Sequence, residues 1–166
     1  CIAELVDECA SLLGTALGRH VALSLDVAAD LHRCRIDRTG LETAILNLAV
    51  NARHAMPQGG ELAISARNRS ITPAQAELRP ELQAGDWVEI AVRDTGTGMP
   101  PEVQARIFEP FFTTKAEGKG TGLGLAMVHG FVHQSGGFVT VDSSVGVGTT
   151  FSLFLPAIDA PAAIAA

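Results

Sequence analysis

Cysteine is scarce in this chain. Cys1, Cys9 and Cys34 are its only three, too few and too scattered to frame disulfides or a zinc site, so free thiols in a reducing cytoplasm are expected. Positive charge is scarce as well. Twelve Lys and Arg face eighteen Asp and Glu, a formal net charge of −6, and no basic run is present. That argues against a nucleic-acid footprint or direct contact with an anionic membrane, although local positive charge can still serve a bound nucleotide. No apolar run approaches the roughly 20 residues of a membrane-spanning helix, and no secretion signal is visible. Hydrophobic residues nevertheless make up 47% against 18% charged. The 166 residues therefore suit one globular domain with a real core. Because the chain opens at Cys1 inside a helical pattern, it is expected to be cut from a larger cytoplasmic, membrane-anchored or soluble parent.

Ile2, Leu5, Val6, Cys9, Leu12, Leu13 and Leu17 recur at helical spacing and predict an opening helix that ends near Gly18. Alternation predicts strands over residues 21–25, 33–36, 62–66 and 87–92, the last running into Asp94. Asp37 is placed to cap a helix whose apolar face reads Leu41, Ala44, Ile45, Leu48 and Ala52. Residues 70–85 read as a polar connection holding a helical turn, and a short helix follows Pro100-Pro101. Residues 109–121 carry little apolar periodicity and read as a mobile segment. A helix over 123–134 and closing strands over 138–141 and 149–155 complete a domain of residues 1–156, followed by an Ala/Pro-rich linker over 157–166. Strands adjacent at both ends predict an α/β fold: a two-layer sandwich with a mixed sheet of about five strands and three main helices.

Four glycine-marked or amide-marked segments carry the chemistry. Asn47 and Asn51 stand four apart on one helix, so their amides project from one face. They are either cap-like, solvent-facing amides or oxygen ligands for Mg²⁺. Asp94-Thr95-Gly96-Thr97-Gly98 ends a strand; it is either a plain turn or a carboxylate for an exocyclic amine beside a backbone that passes a flat ring. Gly118, Gly120, Gly122 and Gly124 alternate straight into a helix, where backbone N–H groups and the helix dipole form an anion cradle. This spacing fits neither G-x-G-x-x-G nor the P-loop, since Gly120 rather than serine or threonine follows Lys119. Gly146-Val147-Gly148-Thr149 precedes the last strand and in isolation reads as a hairpin. Phe108, Phe111 and Phe112 beside the mobile segment cover a ligand, dock on a partner or join the core.

Taken in order, these segments resemble the N box, the three glycine boxes and the F box of the sensor histidine kinase catalytic domain. That domain belongs to the GHKL superfamily with gyrase B, MutL and the heat-shock chaperone ATPases. The resemblance covers about residues 1–156 and implies the Bergerat sandwich, with ATP under a movable lid. It implies that Asn51 ligates Mg²⁺ and that Asn47 replaces the glutamate with which gyrase-like members activate water. An amide cannot act as that base, which favours transfer to a protein acceptor. It assigns Asp94 to adenine, with Gly96 and Gly98 shaping the pocket and Thr149 reaching the ring through water. Gly120, Gly122 and Gly124 become the phosphate cradle, and Lys115 reaches the distal phosphates from the lid. Ala55, Ile107, Phe112, Thr113, Thr121, Leu123 and Leu125 join the nucleotide-binding set. Asn51-Ala52-Arg53-His54-Ala55-Met56 looks like the hybrid-kinase N box, with His54 where that subgroup has aspartate. Arg53 is then a candidate phosphate contact, and His54 either touches phosphate when protonated or faces solvent.

None of His20, His32, His54, His129 and His133 has the surroundings of a phosphoacceptor histidine. His129 and His133 lack a third metal ligand and read as helix surface. The resemblance therefore implies a histidine-containing dimerisation domain of the same parent as partner, with a response regulator or fused receiver domain downstream. The chain by itself is expected to bind Mg·ATP without autophosphorylating. A nucleotide-gated ATPase module and a sigma-factor-restraining serine kinase are the competing readings.

Overall fold

The computed structural model describes residues 1–158. Helix α1 (Ile2–Leu17) buries Ile2, Leu5, Val6, Cys9, Leu13 and Leu17. Leu12, expected on that face, instead points to solvent at 65% exposure, because the step from Leu13 back to Leu12 rotates it off the stripe. Strand β1 (Val21–Val27) follows. Helix α2 (Arg38–Ala55) starts where expected, with the Asp37 carboxylate accepting the Gly40 amide at 2.9 Å. Its stripe of Leu41, Ala44, Ile45, Leu48, Ala49 and Ala52 is buried.

Strand β2 (Gly60–Ile71) pairs parallel with β1 and antiparallel with β3 (Gly85–Asp94). Between β2 and β3 sits the short helix α3 (Pro73–Leu78), closed by a capping box between Thr72 and Gln75. Helix α4 (Pro101–Gln104), helix α5 (Gly124–Gln134) and the antiparallel pair β4 (Phe138–Ser144) and β5 (Gly148–Pro156) complete the chain. Strand order is β1-β2-β3-β5-β4.

Helices α1, α2 and α5 cover one face of this mixed sheet. Leu62, Ile64, Val88, Ile90, Val92, Phe151, Leu153 and Leu155 point into the core beneath them. A second, small cluster of Ile71, Trp87, Phe138 and Phe154 is capped by Ala76 of α3 and by Leu82. The two-layer α/β sandwich with five strands and three main helices is thus as expected.

One strand expectation needs correction. Residues 33–36 form no strand; only Cys34 makes an isolated bridge, to Ala157. Cys34 and Ile36 do pack toward the core, which explains the alternation, but among the described residues the bridge from Cys34 is the one ladder pairing this segment makes. The first strand pair is therefore a parallel β1–α2–β2 crossover, the connection parallel strands require. Just past the expected domain boundary at residue 156, Ala157 donates its amide to Asp86 O at 3.1 Å and Ile158 to Arg33 O at 2.9 Å. The rest of the expected linker lies outside the described residues.

Candidate functional site

The stripe that α2 buries decides what its neighbouring stripe presents. With Leu48 and Ala52 turned inward, Asn47, Asn51 and His54 follow one another at steps of four and three along the helix. All three line one cleft of about 410 Å³. The Asn47 Nδ2 atom is buried and has no hydrogen-bond partner among the described residues. An orphaned donor costs about 1–3 kcal/mol, so the wall of this cleft holds a group whose bond a ligand would complete.

Asp94, at the end of β3, is only 6% exposed. Its Oδ1 accepts the Gly96 amide at 2.8 Å and the Thr149 amide at 3.3 Å; Oδ2 takes no protein donor among the described residues. Burial pushes this carboxyl above its ordinary pKa, against the pull of the two amides. Gly96 is required by close approach: a Cβ there would lie 2.6 Å from Ala55 O and 2.7 Å from Ala55 Cβ. The loop is stitched to α2 by Thr97 N donating to Ala55 O at 3.0 Å. Ser143 ties it to the last hairpin, its Oγ accepting the Met99 amide at 2.8 Å and sharing a 2.7 Å bond with Thr149 Oγ1.

No helix or strand forms between α4 and α5. This lid is closed at its base by the Phe111 amide donating to Gly122 O at 3.0 Å. Gly122 has φ +67°, and a Cβ there would fall within the Phe111 backbone, so only glycine fits. Arg106 stacks over Phe112 with Cζ 4.5 Å from the ring centroid. Lys115 and Lys119 line the cleft from the lid, and Asp94 is the only carboxylate among its lining residues. Lys115 Nζ lies 2.9 Å from His54 Nδ1. Burial, then Lys115, then Arg53 lower the His54 pKa and so disfavour its charged form.

Of the residues singled out in the sequence, Asn47, Asn51, Ala55, Asp94, Gly98, Ile107, Phe112, Thr113, Lys115, Gly120, Thr121, Gly122, Gly124, Leu125 and Thr149 line this one cleft. Gly96 does not, but it supports Asp94 from behind. Leu123 lies outside the lining, its amide donating to Thr121 Oγ1 at 3.3 Å. Arg53 is turned away, its guanidinium donating to Ala16 O at 2.8 Å near the end of α1; it sits one residue off the Asn47–Asn51–His54 stripe. Sequence reasoning did not assign Val50, Thr97, Met99, Val103, Thr114, Lys119 and Phe151 to the site, and these also line the cleft. The helical spacing of Asn47, Asn51 and His54 was the signal that would have placed His54 there.

These features define a nucleotide-type cleft on a two-layer sandwich, and comparison with known proteins agrees. Residues 36–159 match the family described as histidine kinase-, DNA gyrase B- and HSP90-like ATPase, and the chain belongs to that family. Among curated relatives, it is 48% identical over 145 residues to the sensor kinase CckA of Brucella abortus, covering 87% of this chain and 15% of that protein. It is 38% identical over 141 residues to the sensor histidine kinase ZraS of Escherichia coli K12, covering 85% of this chain and 27% of that one. The chain thus spans a minor part of these relatives. Among solved structures it resembles the mycobacterial sensor histidine kinase MprB (TM-score 0.73, 27% identity, 94% of this chain and 95% of that one). It also resembles full-length ShkA in complex with AMPPNP (TM-score 0.70, 29% identity, 95% of this chain and 31% of that one).

Proposed function

We propose that this chain is the ATP-binding catalytic domain of a two-component sensor histidine kinase, acting on the cytoplasmic side. It presents the γ-phosphoryl of Mg·ATP to a histidine on an adjoining dimerisation domain. The observation that carries this reading is the composition of one cleft. A buried carboxylate there keeps one oxygen free of protein donors among the described residues, while the lid lines the cleft with glycine backbone and two lysines, its own Glu109 and Glu117 lying outside the lining. The AMPPNP held by the similar ShkA supports an adenine nucleotide as the occupant.

In this reading Asp94 accepts the exocyclic amine of adenine through Oδ2, and the Gly96 and Thr149 amides hold the carboxylate in place. Gly120, Gly122 and Gly124 approach the phosphates closely, at the N-terminus of α5. Lys115 and Lys119 offset phosphate charge. The amides of Asn47 and Asn51 fit a hard cation with phosphates beside it: Asn51 supplies an oxygen ligand, and the orphaned Asn47 donor suits a phosphate or metal-bound water oxygen. Mg²⁺, when bound, neutralises charge on the phosphate chain. The acceptor imidazole nitrogen forms the new N–P bond as the bond to the bridging oxygen breaks and ADP leaves. Catalysis by this domain is positioning and charge neutralisation, because Asn47 offers no base for activating water.

The test is to supply a matching dimerisation domain in trans with ATP labelled at the γ-phosphate. Label appearing as phosphohistidine on the added domain is the expected result. Rapid turnover without an acceptor would contradict it and favour a nucleotide-gated ATPase.

A further inference from the structure

His54 is the one cleft residue on the asparagine stripe of α2 to which the reading above gives no role. Its contact is unusual for the lid. Phe111 bonds to Gly122, Phe112 to Glu109, Lys115 N to Thr113 Oγ1, Lys119 to Ala116 and Leu123 to Thr121. All of these stay inside the segment. Among the described residues, the 2.9 Å contact of Lys115 Nζ with His54 Nδ1 is the one hydrogen bond that ties the lid to α2, across 61 positions of sequence.

Chemistry fixes its direction. An ammonium has three donors and no acceptor, so Nδ1 must be the unprotonated, accepting nitrogen and the ring proton sits on Nε2. We propose that His54 is a positioning residue for Lys115: a neutral imidazole that holds the lid ammonium at the cleft wall with one donor engaged and two left for phosphate oxygens. This rests on the nucleotide reading above.

The identity of the holder matters. A carboxylate at residue 54 would pair with Lys115 and bring negative charge into a lining where Asp94 is the only acid. A lysine there would repel Lys115. An imidazole holds the ammonium without opposing an anion. The other charged groups bearing on His54 do not replace Lys115 as a partner: Arg53 is engaged with Ala16 O, and Lys119 from the lid is a second cation in the same cleft. Holding a long, flexible side chain in advance reduces the entropy lost when phosphates order it.

Two measurements test this on the chain itself. In the first, imidazole ¹⁵N resonances of the nucleotide-free protein at neutral pH should show the Nε2–H tautomer at His54, and Lys115→Ala should move the Nδ1 resonance. An unmoved resonance overturns the contact. In the second, calorimetry with Mg·AMP-PNP compares His54→Ala, Lys115→Ala, the double variant and His54→Gln, whose amide oxygen can accept the same bond. His54→Ala is expected to weaken binding about fivefold, to add nothing in the Lys115→Ala background, and to be largely rescued by glutamine. Losses that add would mean His54 meets phosphate itself, and unchanged affinity would mean it merely faces solvent; either overturns the proposal while wild-type binding stands. A wild-type chain that binds no AMP-PNP instead sinks the nucleotide reading, and the positioning role with it.

Discussion

Asp94 and Thr149 face one another directly in the antiparallel register of β3 and β5, and the Thr149 amide donates to the Asp94 carboxylate across that pairing at 3.3 Å. The sheet itself therefore aims the acid. With the Gly96 amide also on Oδ1, the position of Oδ2 follows from backbone geometry rather than from flexible side chains.

Asp94 should show a pH signature in binding and in stability. Its folded-state pKa is raised, first by burial, with the Gly96 and Thr149 amides acting against it. A raised acid favours folding below its unfolded pKa, and that contribution is lost as pH rises through the folded value. Binding should run the other way, because the ionised carboxylate is the better acceptor for an amine. AMP-PNP affinity is expected to fall as the pH is lowered through the raised pKa. Asp94→Asn should abolish this dependence, weaken binding and raise the melting temperature at neutral pH; an Asn variant that binds as tightly as wild type would contradict the role.

Asn47 should trade stability for ligand contact. Its buried Nδ2 lacks a partner, and alanine is the better helix former. Asn47→Ala is expected to stabilise the nucleotide-free domain by about 1 kcal/mol yet weaken Mg·AMP-PNP binding. Thermal melts with and without the nucleotide check both signs together.

Asn51→Ala should remove the magnesium dependence of nucleotide affinity. Calorimetry in Mg²⁺ and in chelator is expected to give two different constants for wild type and one for the variant. A dependence that persists assigns the metal to another residue.

Gly122→Ala should damage the lid and spare the body. The new Cβ meets the Phe111 backbone at a left-handed φ, with strain of about 1–3 kcal/mol, but α1, α2 and the sheet do not rest on this residue. Nucleotide affinity is expected to drop by roughly tenfold with little change in denaturant midpoint. A fall in midpoint without a change in affinity would place the strain in the core.

Much of this was legible in the chain because local and global signals agree. The stripe from Leu41 to Ala52 and the cap at Asp37 define α2, and α2 alone sets Asn47 and Asn51 on the cleft. What escaped depends on long-range pairing. Residues 33–36 alternate like a strand, yet among the described residues their one strand-type pairing is the isolated bridge from Cys34 to Ala157. β2 runs on to Ile71 because β3 pairs along its whole length up to Gly85, which the polar stretch Arg67 to Ser70 concealed. Arg53 and His54 are neighbours in sequence, but helical phase decides which of the two side chains lines the cleft, and here it is His54. The His54–Lys115 contact joins a helix to an irregular loop, and no periodicity encodes it.

If this cleft grips adenine through Asp94, losing that carboxylate must weaken nucleotide binding. Titration calorimetry of AMP-PNP with magnesium into the wild-type chain and into Asp94→Ala tests it most directly. Saturable one-to-one binding to the wild type and a loss of about 2–3 kcal/mol in the variant are expected; equal affinities, or no binding to the wild type, would contradict the adenine role of Asp94.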